Sequence, residues 1–269
     1  MPLFTTRAIK DFPIGNIVLH EHHSAIANAR LHTHPHAWLT PEDLALVSNE
    51  TPTLLDADHT PLAWLGDSPA MAAAVVAKSS FVIVHPWDVL RANELHVASL
   101  TGDSIHGEIH PLAVIEGTLH LGVGSRLLPG VFIEGNVVIG ENCKIGPNCY
   151  IRSSTTIGDK CHIGNAVEIK NSLILSGTNV GHLSYVGDSV LGEKVNFGAG
   201  TVTSNLRHDG KNHRSEVDGA LIDTGRRKFG AIIGDGVHTG INTSIYPGRK
   251  LWPNTSTRPG EIVQRDVIL

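Results

Sequence analysis

Four positions stand out because their types and spacing suit group transfer. Arg152 and Lys170 lie 18 residues apart, and each directly follows an isoleucine. His182 follows Val180 by two positions, and Ala199 follows Phe197 by two. A guanidinium offers a planar fork of donors and an ammonium a point charge, and stacked together they can clamp a phosphoryl group. An imidazole accepts a proton near neutrality. A backbone N–H beside it steadies a developing oxyanion. This set of groups suits acyl transfer to an amine. Two simpler readings compete with it. Arg152 could belong to a surface ion-pair ladder with Glu134, one repeat earlier, and His182 could be a solvated histidine, one of 17 in the chain.

Such residues act together only if the backbone stacks them, and the sequence supplies the means. From residue 109, every sixth position is a branched aliphatic: Ile109, Ile115, Leu121, Leu127, Ile133, Ile139, Ile145, Ile151, Ile157, Ile163 and Ile169. Neither the 3.6 period of a helix nor the 2 of an ordinary strand produces this. It predicts a hexapeptide parallel β-helix with three short strands to an 18-residue coil, so that residues 18 apart stack about 4.8 Å from one another. Glycines often follow the aliphatic (Gly122, Gly140, Gly146, Gly158, Gly164), as tight corners favour. Four positions after the aliphatic come Val131, Val137, Cys143, Cys149, Thr155, Cys161 and Val167, so all three cysteines share one interior column and read as small hydrophobes. After Ile169 the column slips. Ile174 and Leu191 each arrive after a step of five, which predicts a locally reshaped coil. Between Asn205 and Gly230 the repeat is lost, and a long polar loop over the cleft is expected there, with Arg226, Arg227 and Lys228 near phosphates.

Composition narrows the classes. The chain has 269 residues, a formal net charge of −5, 28 glycines and 5% aromatics. The charge gives no global attraction to nucleic acid or to an anionic membrane. The start shows no secretory pattern, and the apolar run 70–84 is too short to span a bilayer, so a soluble cytoplasmic protein is expected. An odd cysteine count argues against a disulfide framework. Residues 1–100 lack the six-residue period. They read as a small α/β domain with a strand near Ile17–His20, a helix near Pro69–Ala77, a strand at Phe81–His85 and a helix beginning at "HPWDVL". Residues 101–269 form the β-helix domain.

The stretch "VEIKNSLILSGTNVGHLSYVGDSVLGEKVNFGAGTVTSN" resembles the acetyltransferase half of the bifunctional glucosamine-1-phosphate acetyltransferase / N-acetylglucosamine-1-phosphate uridyltransferases, over about residues 130–247. The resemblance implies a left-handed coil, a homotrimer, acetyl-CoA as co-substrate and an amino-sugar phosphate as acceptor. It implies His182 as general base, with Arg152, Lys170, Tyr185 and Asn196 on the sugar phosphate and Lys228 as a further phosphate-binding lysine. Glu168 becomes a supporting carboxylate, Ala199 the backbone oxyanion donor, and Asn205 a contact to the thioester arm. Three positions depart from the family pattern, all on the CoA side: Leu206 for a tyrosine, Ile241 for a serine, and Pro259 about where a small residue presents an N–H. The family's basic tail is absent from the sequence, which stops at Leu269.

The segments "FTTRAIKDFPIG", "IANARLHTHP" and "HPWDVLRANEL" resemble shortened N-terminal halves of sugar nucleotidyltransferase-like proteins, but residues 1–100 contain no G-x-G-x-R nucleotide loop. Nucleotidyl transfer is therefore not expected. The clusters "HEHH" (His20, His22, His23) and "HTHPH" (His32, His34, His36) match no standard metal spacing, and no tightly bound metal is expected in the solenoid. Two alternatives remain open at this point. One is a non-catalytic sugar-phosphate or nucleotide-sugar binding protein. The other is a γ-class carbonic anhydrase-like zinc protein drawing on His182, His208, His213 or His238.

Overall fold

The computed structural model describes residues 1–26 and 30–268, so residues 27–29 of "IANARLHTHP", together with Leu269, lie outside the described residues. The chain divides into two compact units. One holds Met1–Thr6, Ile14–Asn16 and the chain from Leu90 onward; the other holds Arg7–Pro13 and Ile17–Val89.

In the first unit the six-residue period becomes a three-sided parallel β-helix. Face one stacks six strands from Glu108–Ile109 to Asn196–Phe197. Face two stacks eight, from Val114–Glu116 to Ile262–Val263, and face three eight, from Ser104–Ile105 to Lys250–Leu251. The column aliphatics from Leu121 to Ile169 point inward and are buried, while Ile109 and Ile115 pack partly buried against the first coils. All three cysteines are free and buried in the same core, where burial pushes the Cys149 thiol up to about 12.

The glycines after the aliphatics serve a different purpose from the one expected. Gly122, Gly140, Gly158 and Gly164 are not in the left-handed region; of the five, Gly146 alone is, at φ +102°. They are required by the close approach of adjacent coils, since a Cβ on Gly122 would stand 2.5 Å from the Gly140 carbonyl oxygen. The left-handed corner lies two residues later, at Gly124, Asn142, Lys160, Gly177 and Lys194.

The slip after Ile169 is a change of coil length. Below it partners are 18 apart, as in Ile151 beside Ile169. Just above it they are 17 apart, as in Ile169 beside Val186 and Val180 beside Phe197, and in the last coils they return to 18, as in Ile232 beside Lys250. The lost residue comes from the corner between faces two and three. Two residues, Ser153 and Ser154, separate Arg152 from Thr155, whereas Asn171 alone separates Lys170 from Ser172, and Asp188 alone separates Gly187 from Ser189. Both single-residue corners are left-handed, with φ +46° and +50°.

The segment between Asn205 and Gly230 is more regular than its polarity suggests. Arg214–Val217 and Ala220–Asp223 form an antiparallel hairpin. It is tied down by the fully buried Lys250, whose Nζ donates to Ser215 Oγ at 3.0 Å and to the Glu216 carbonyl at 2.6 Å and pairs with Asp266 at 2.8 Å.

The second unit departs from expectation in two places. The strand expected near Ile17–His20 covers only Ile17–Val18, and a helix, Leu19–Ile26, follows at once. The helix expected near Pro69–Ala77 is a 3-10 turn, Met71–Ala73, and a strand, Ala74–Val76. Pairing of Val75 and Val76 beside Leu54 and Leu55 overrides the alanine-rich helical propensity. The strand at Phe81–His85 shrinks to Phe81–Val82, and the following helix runs Pro86–Ala98.

Asp43, 2% exposed, organises the 78–80 turn of this unit. Its carboxylate accepts the N–H groups of Lys78, Ser79 and Ser80 at 2.9, 2.8 and 2.6 Å. Burial alone would raise its pKa, but these donors hold it down at about 2, against an ordinary 3.8. The contribution is therefore complete above the ordinary value and lost as pH falls through about 2. Asp43→Asn should cost about 2 kcal/mol at neutral pH, with the deficit shrinking below the ordinary value of 3.8 to under half at pH 2.5 and vanishing only below about 2. Denaturant midpoints at pH 7 and pH 2.5 check this, and an equal deficit at both would contradict it.

Candidate active site

The first side chains of interest stand on face two. Its outward positions form two columns, one running Phe132, Tyr150, Glu168, Tyr185 and the other Glu134, Arg152, Lys170, Gly187. Arg152 and Lys170 are therefore direct neighbours on successive coils. Neither is left bare. Arg152 pairs with Glu134 at 3.4 Å and Glu168 at 3.1 Å, and lies 5.2 Å over the Tyr150 ring. Tyr150 in turn donates its hydroxyl to Glu134. Lys170 pairs with Asp188 at 3.1 Å. The ion-pair ladder is therefore present, and carboxylates hold both cations in place.

Asp188 was not singled out in the sequence. Its side chain is 3% exposed, and besides Lys170 it accepts from Asn171 Nδ2 at 2.8 Å and Asn205 Nδ2 at 2.6 Å. Asn205 also donates to the Tyr185 hydroxyl at 3.0 Å. Burial, then the nearby Asp188 and Glu168 carboxylates, pushes the Tyr185 phenol above its ordinary range. The arrangement needs Gly187, because a Cβ there would meet the Tyr185 hydroxyl and stand 2.7 Å from Asn205 Nδ2. The signal that marks Asp188 is the five-residue step, which makes it a single-residue corner stacked on Asn171.

His182 ends the face-one strand Asn179–His182, at the corner leading to face two, and is exposed. Hydrogen bonds continue this corner through the coils. Leu183 N–H donates to the Asn165 carbonyl, Gly200 N–H to His182, Asn242 N–H to Ala199 and Gly260 N–H to Ile241, at 3.0, 3.2, 2.8 and 2.8 Å. Asn165, His182, Ala199, Ile241 and Pro259 therefore climb a single edge. The residues expected as base and as oxyanion donor share it with two of the positions expected on the CoA side. Ile241 is 53% exposed.

Asn196 stands elsewhere. It lies one coil above Asn179 on face one, in the outward column Arg126, Lys144, His162, Asn179, Asn196. Burial, then Lys144 and His182, holds the His162 ring below its ordinary pKa. Lys228 is exposed and bridges antiparallel to Leu206, just beyond Asn205. Leu206 is 44% exposed and lines a surface cavity with Ser204, Arg207, His208 and Tyr246. Asn205, expected at the thioester arm, directs its amide to Tyr185 and Asp188.

The histidine clusters of the second unit are used in packing. His23 Nε2 contacts the Ala37 carbonyl at 2.7 Å, His22 packs edge-on to Trp38, and His32 stacks on Trp64. Among the described residues, no three His, Cys, Asp or Glu side chains are grouped to hold a metal ion. Also among the described residues, no helix is long and apolar enough to cross a membrane.

Fold and site together define a hexapeptide-repeat β-helix with a polar cluster beside a histidine-bearing edge. Residues 133–256 match the family model described as the GMPPB C-terminal domain. The chain is 43% identical over 182 residues to a bifunctional sugar-1-phosphate nucleotidylyltransferase/acetyltransferase of Sulfurisphaera tokodaii, covering 68% of this chain and 45% of that protein. It is 49% identical over 185 residues to the bifunctional protein GlmU of Methanococcus maripaludis strain C7, covering 69% and 44%. The chain thus spans less than half the length of these homologues. Among solved structures, the UDP-N-acetylglucosamine O-acyltransferase of Moraxella catarrhalis aligns at TM-score 0.35 and 13% identity, over 56% of this chain and 66% of that one.

Removing Asp188 would strand the Lys170 ammonium, 18% exposed, without its partner. Asp188→Ala should lower stability by about 3 kcal/mol, the usual cost of breaking a largely buried pair from one side. An unchanged denaturant midpoint would contradict the pairing.

Proposed function

We propose that the solenoid, residues 101–269, is a CoA-dependent N-acetyltransferase that acts on the amine of an amino-sugar phosphate, with glucosamine 1-phosphate as the first candidate. The observation that carries this reading is the single edge bearing His182 and Ala199, flanked on face two by the Arg152–Lys170 pair. The Sulfurisphaera tokodaii relative, named a bifunctional sugar-1-phosphate nucleotidylyltransferase/acetyltransferase, supports it. In this reading the phosphate sits against Arg152 and Lys170, with Tyr185 and Glu168 beside it, and Lys228 closes over it from the loop.

The amine nitrogen attacks the thioester carbonyl of acetyl-CoA while His182 takes the amine proton. The Ala199 N–H steadies the tetrahedral oxyanion. Collapse breaks the C–S bond, and the imidazolium returns its proton to the departing thiolate, leaving an amide and free CoA. No covalent enzyme intermediate is needed. The donor runs up the edge past Ile241 and Pro259.

Asn196 projects from face one, and the Arg152–Lys170 pair from face two. Outward groups on two sides of a prism diverge, so one ligand reaches both most simply where a second copy closes the groove. This favours a homotrimer with sites at the boundaries. Residues 1–100 are assigned no nucleotidyl transfer.

Loss of the base should cost the chemical step, whereas loss of the clamp should cost binding. His182→Ala should lower kcat by ~10²-fold or more, with calorimetric affinity for glucosamine 1-phosphate largely kept. Equal rates in a thiol-release assay would remove His182 from the mechanism. Arg152→Ala and Lys170→Ala should mainly raise KM, and the effect should shrink for a substrate lacking phosphate. Binding of the sugar phosphate with no binding of acetyl-CoA would instead favour a non-catalytic binding protein.

A further inference from the structure

One set of charged groups outside the cluster just described is both partly buried and continuous with it. Glu94 lies on the helix Pro86–Ala98. Its carboxylate accepts from Arg226 Nη1 at 3.1 Å and from Asn171 Nδ2 at 2.6 Å. The side chains of Glu94 and Arg226 are 29% and 15% exposed. The same Asn171 amide nitrogen donates to Asp188 Oδ1 at 2.8 Å, and Asp188 holds the Lys170 ammonium and the Asn205 amide. An unbroken chain of polar contacts thus runs from Arg226 through Glu94, Asn171 and Asp188 to Lys170.

The position of Asn171 makes the chain significant. It is the lone corner residue of the first 17-residue coil, in the left-handed region at φ +46°. Its NH₂ group is shared between two carboxylates, which would repel each other without a donor between them and a cation on the far side. Arg226 provides that cation, and Asn171 that donor. If Glu94 is lost, the Asn171 amide keeps its bond to Asp188 but is anchored from that side only, so Asp188 is held less firmly beside Lys170.

We propose that Glu94 is a positioning residue for the sugar-phosphate half of the site, acting through Asn171 on Asp188 and so on the direction of the Lys170 ammonium. The inference rests on the acyl-transfer reading above and extends it to a residue on a helix outside the β-helix. Glu94 touches no substrate in this account. Its effect should therefore appear in the affinity for the phosphorylated sugar and leave the donor side alone.

The test is a kinetic split with glucosamine 1-phosphate and acetyl-CoA on the full chain. Glu94→Ala should raise KM for the sugar phosphate about tenfold, with kcat within about twofold and KM for acetyl-CoA unchanged. Glu94→Gln keeps an acceptor for Asn171 and should restore KM to within about twofold of the parent. A role confined to the Arg226 ion pair would be lost equally in both variants, and that result overturns the proposal. Asn171→Gly keeps the left-handed corner and removes the amide link, so it should reproduce the rise even if Glu94→Ala fails to fold. An unchanged KM in Asn171→Gly also overturns it. Calorimetry separates the two levels of the claim. A parent that binds no glucosamine 1-phosphate sinks the acyl-transfer reading and this inference with it. A parent that binds, with Asn171→Gly binding equally well, sinks this inference alone.

Discussion

The site depends on coil-to-coil hydrogen bonding. Each coil donates its N–H groups to carbonyls of a neighbouring coil, so a residue's neighbours are fixed by coil length more than by local sequence. Arg152 meets Lys170 because 18 residues separate them, and His182 meets Ala199 because 17 do. A solenoid of this kind places side chains at fixed intervals with little freedom to drift. That suits a reaction in which a base, an oxyanion donor and an anion clamp must keep fixed spacings.

The change from 18 to 17 residues carries chemical consequences. Shortening the corner between faces two and three leaves Asn171 and Asp188 alone at consecutive turns, and the left-handed backbone there suits Asn and Asp better than most residues. Asp188 is thereby brought beside Lys170, Asn205 reaches back to it, and Tyr185 settles over Gly187. Glu134, Glu168 and Asp188 pair with the two cations of face two and fix their positions. Face one differs: among the described residues, Arg126 and Lys144 have no ion-pair partner within 4 Å, although Glu108 lies next to Arg126 in the column.

Much of this was legible in the sequence because a period of six leaves a clear trace. The interior column, the cysteine positions, the Arg152–Lys170 stack and the step of five all follow from counting. Asp188 was missed because an aspartate in a turn looks ordinary until coil length is tracked through the corner. The Glu94 link was invisible because 77 residues separate it from Asn171 and no periodicity joins them. Asn196 was grouped with Arg152 by resemblance, yet periodicity alone puts it on a different face. In the second unit no repeat constrains the reading. There, short β-branched pairs such as Val75–Val76 took strand partners against the helical propensity of their alanine neighbours.

The central claim is that the phosphate of the acceptor lies between Arg152 and Lys170 with its amine directed at His182. A crystal structure with glucosamine 1-phosphate and a CoA analogue unable to transfer tests it most directly. The account predicts phosphate oxygens on both the Arg152 guanidinium and the Lys170 ammonium, with the amine within hydrogen-bond reach of the His182 ring. Phosphate density along Arg126 and Lys144 on face one, with the Arg152–Lys170 pair untouched, would contradict it.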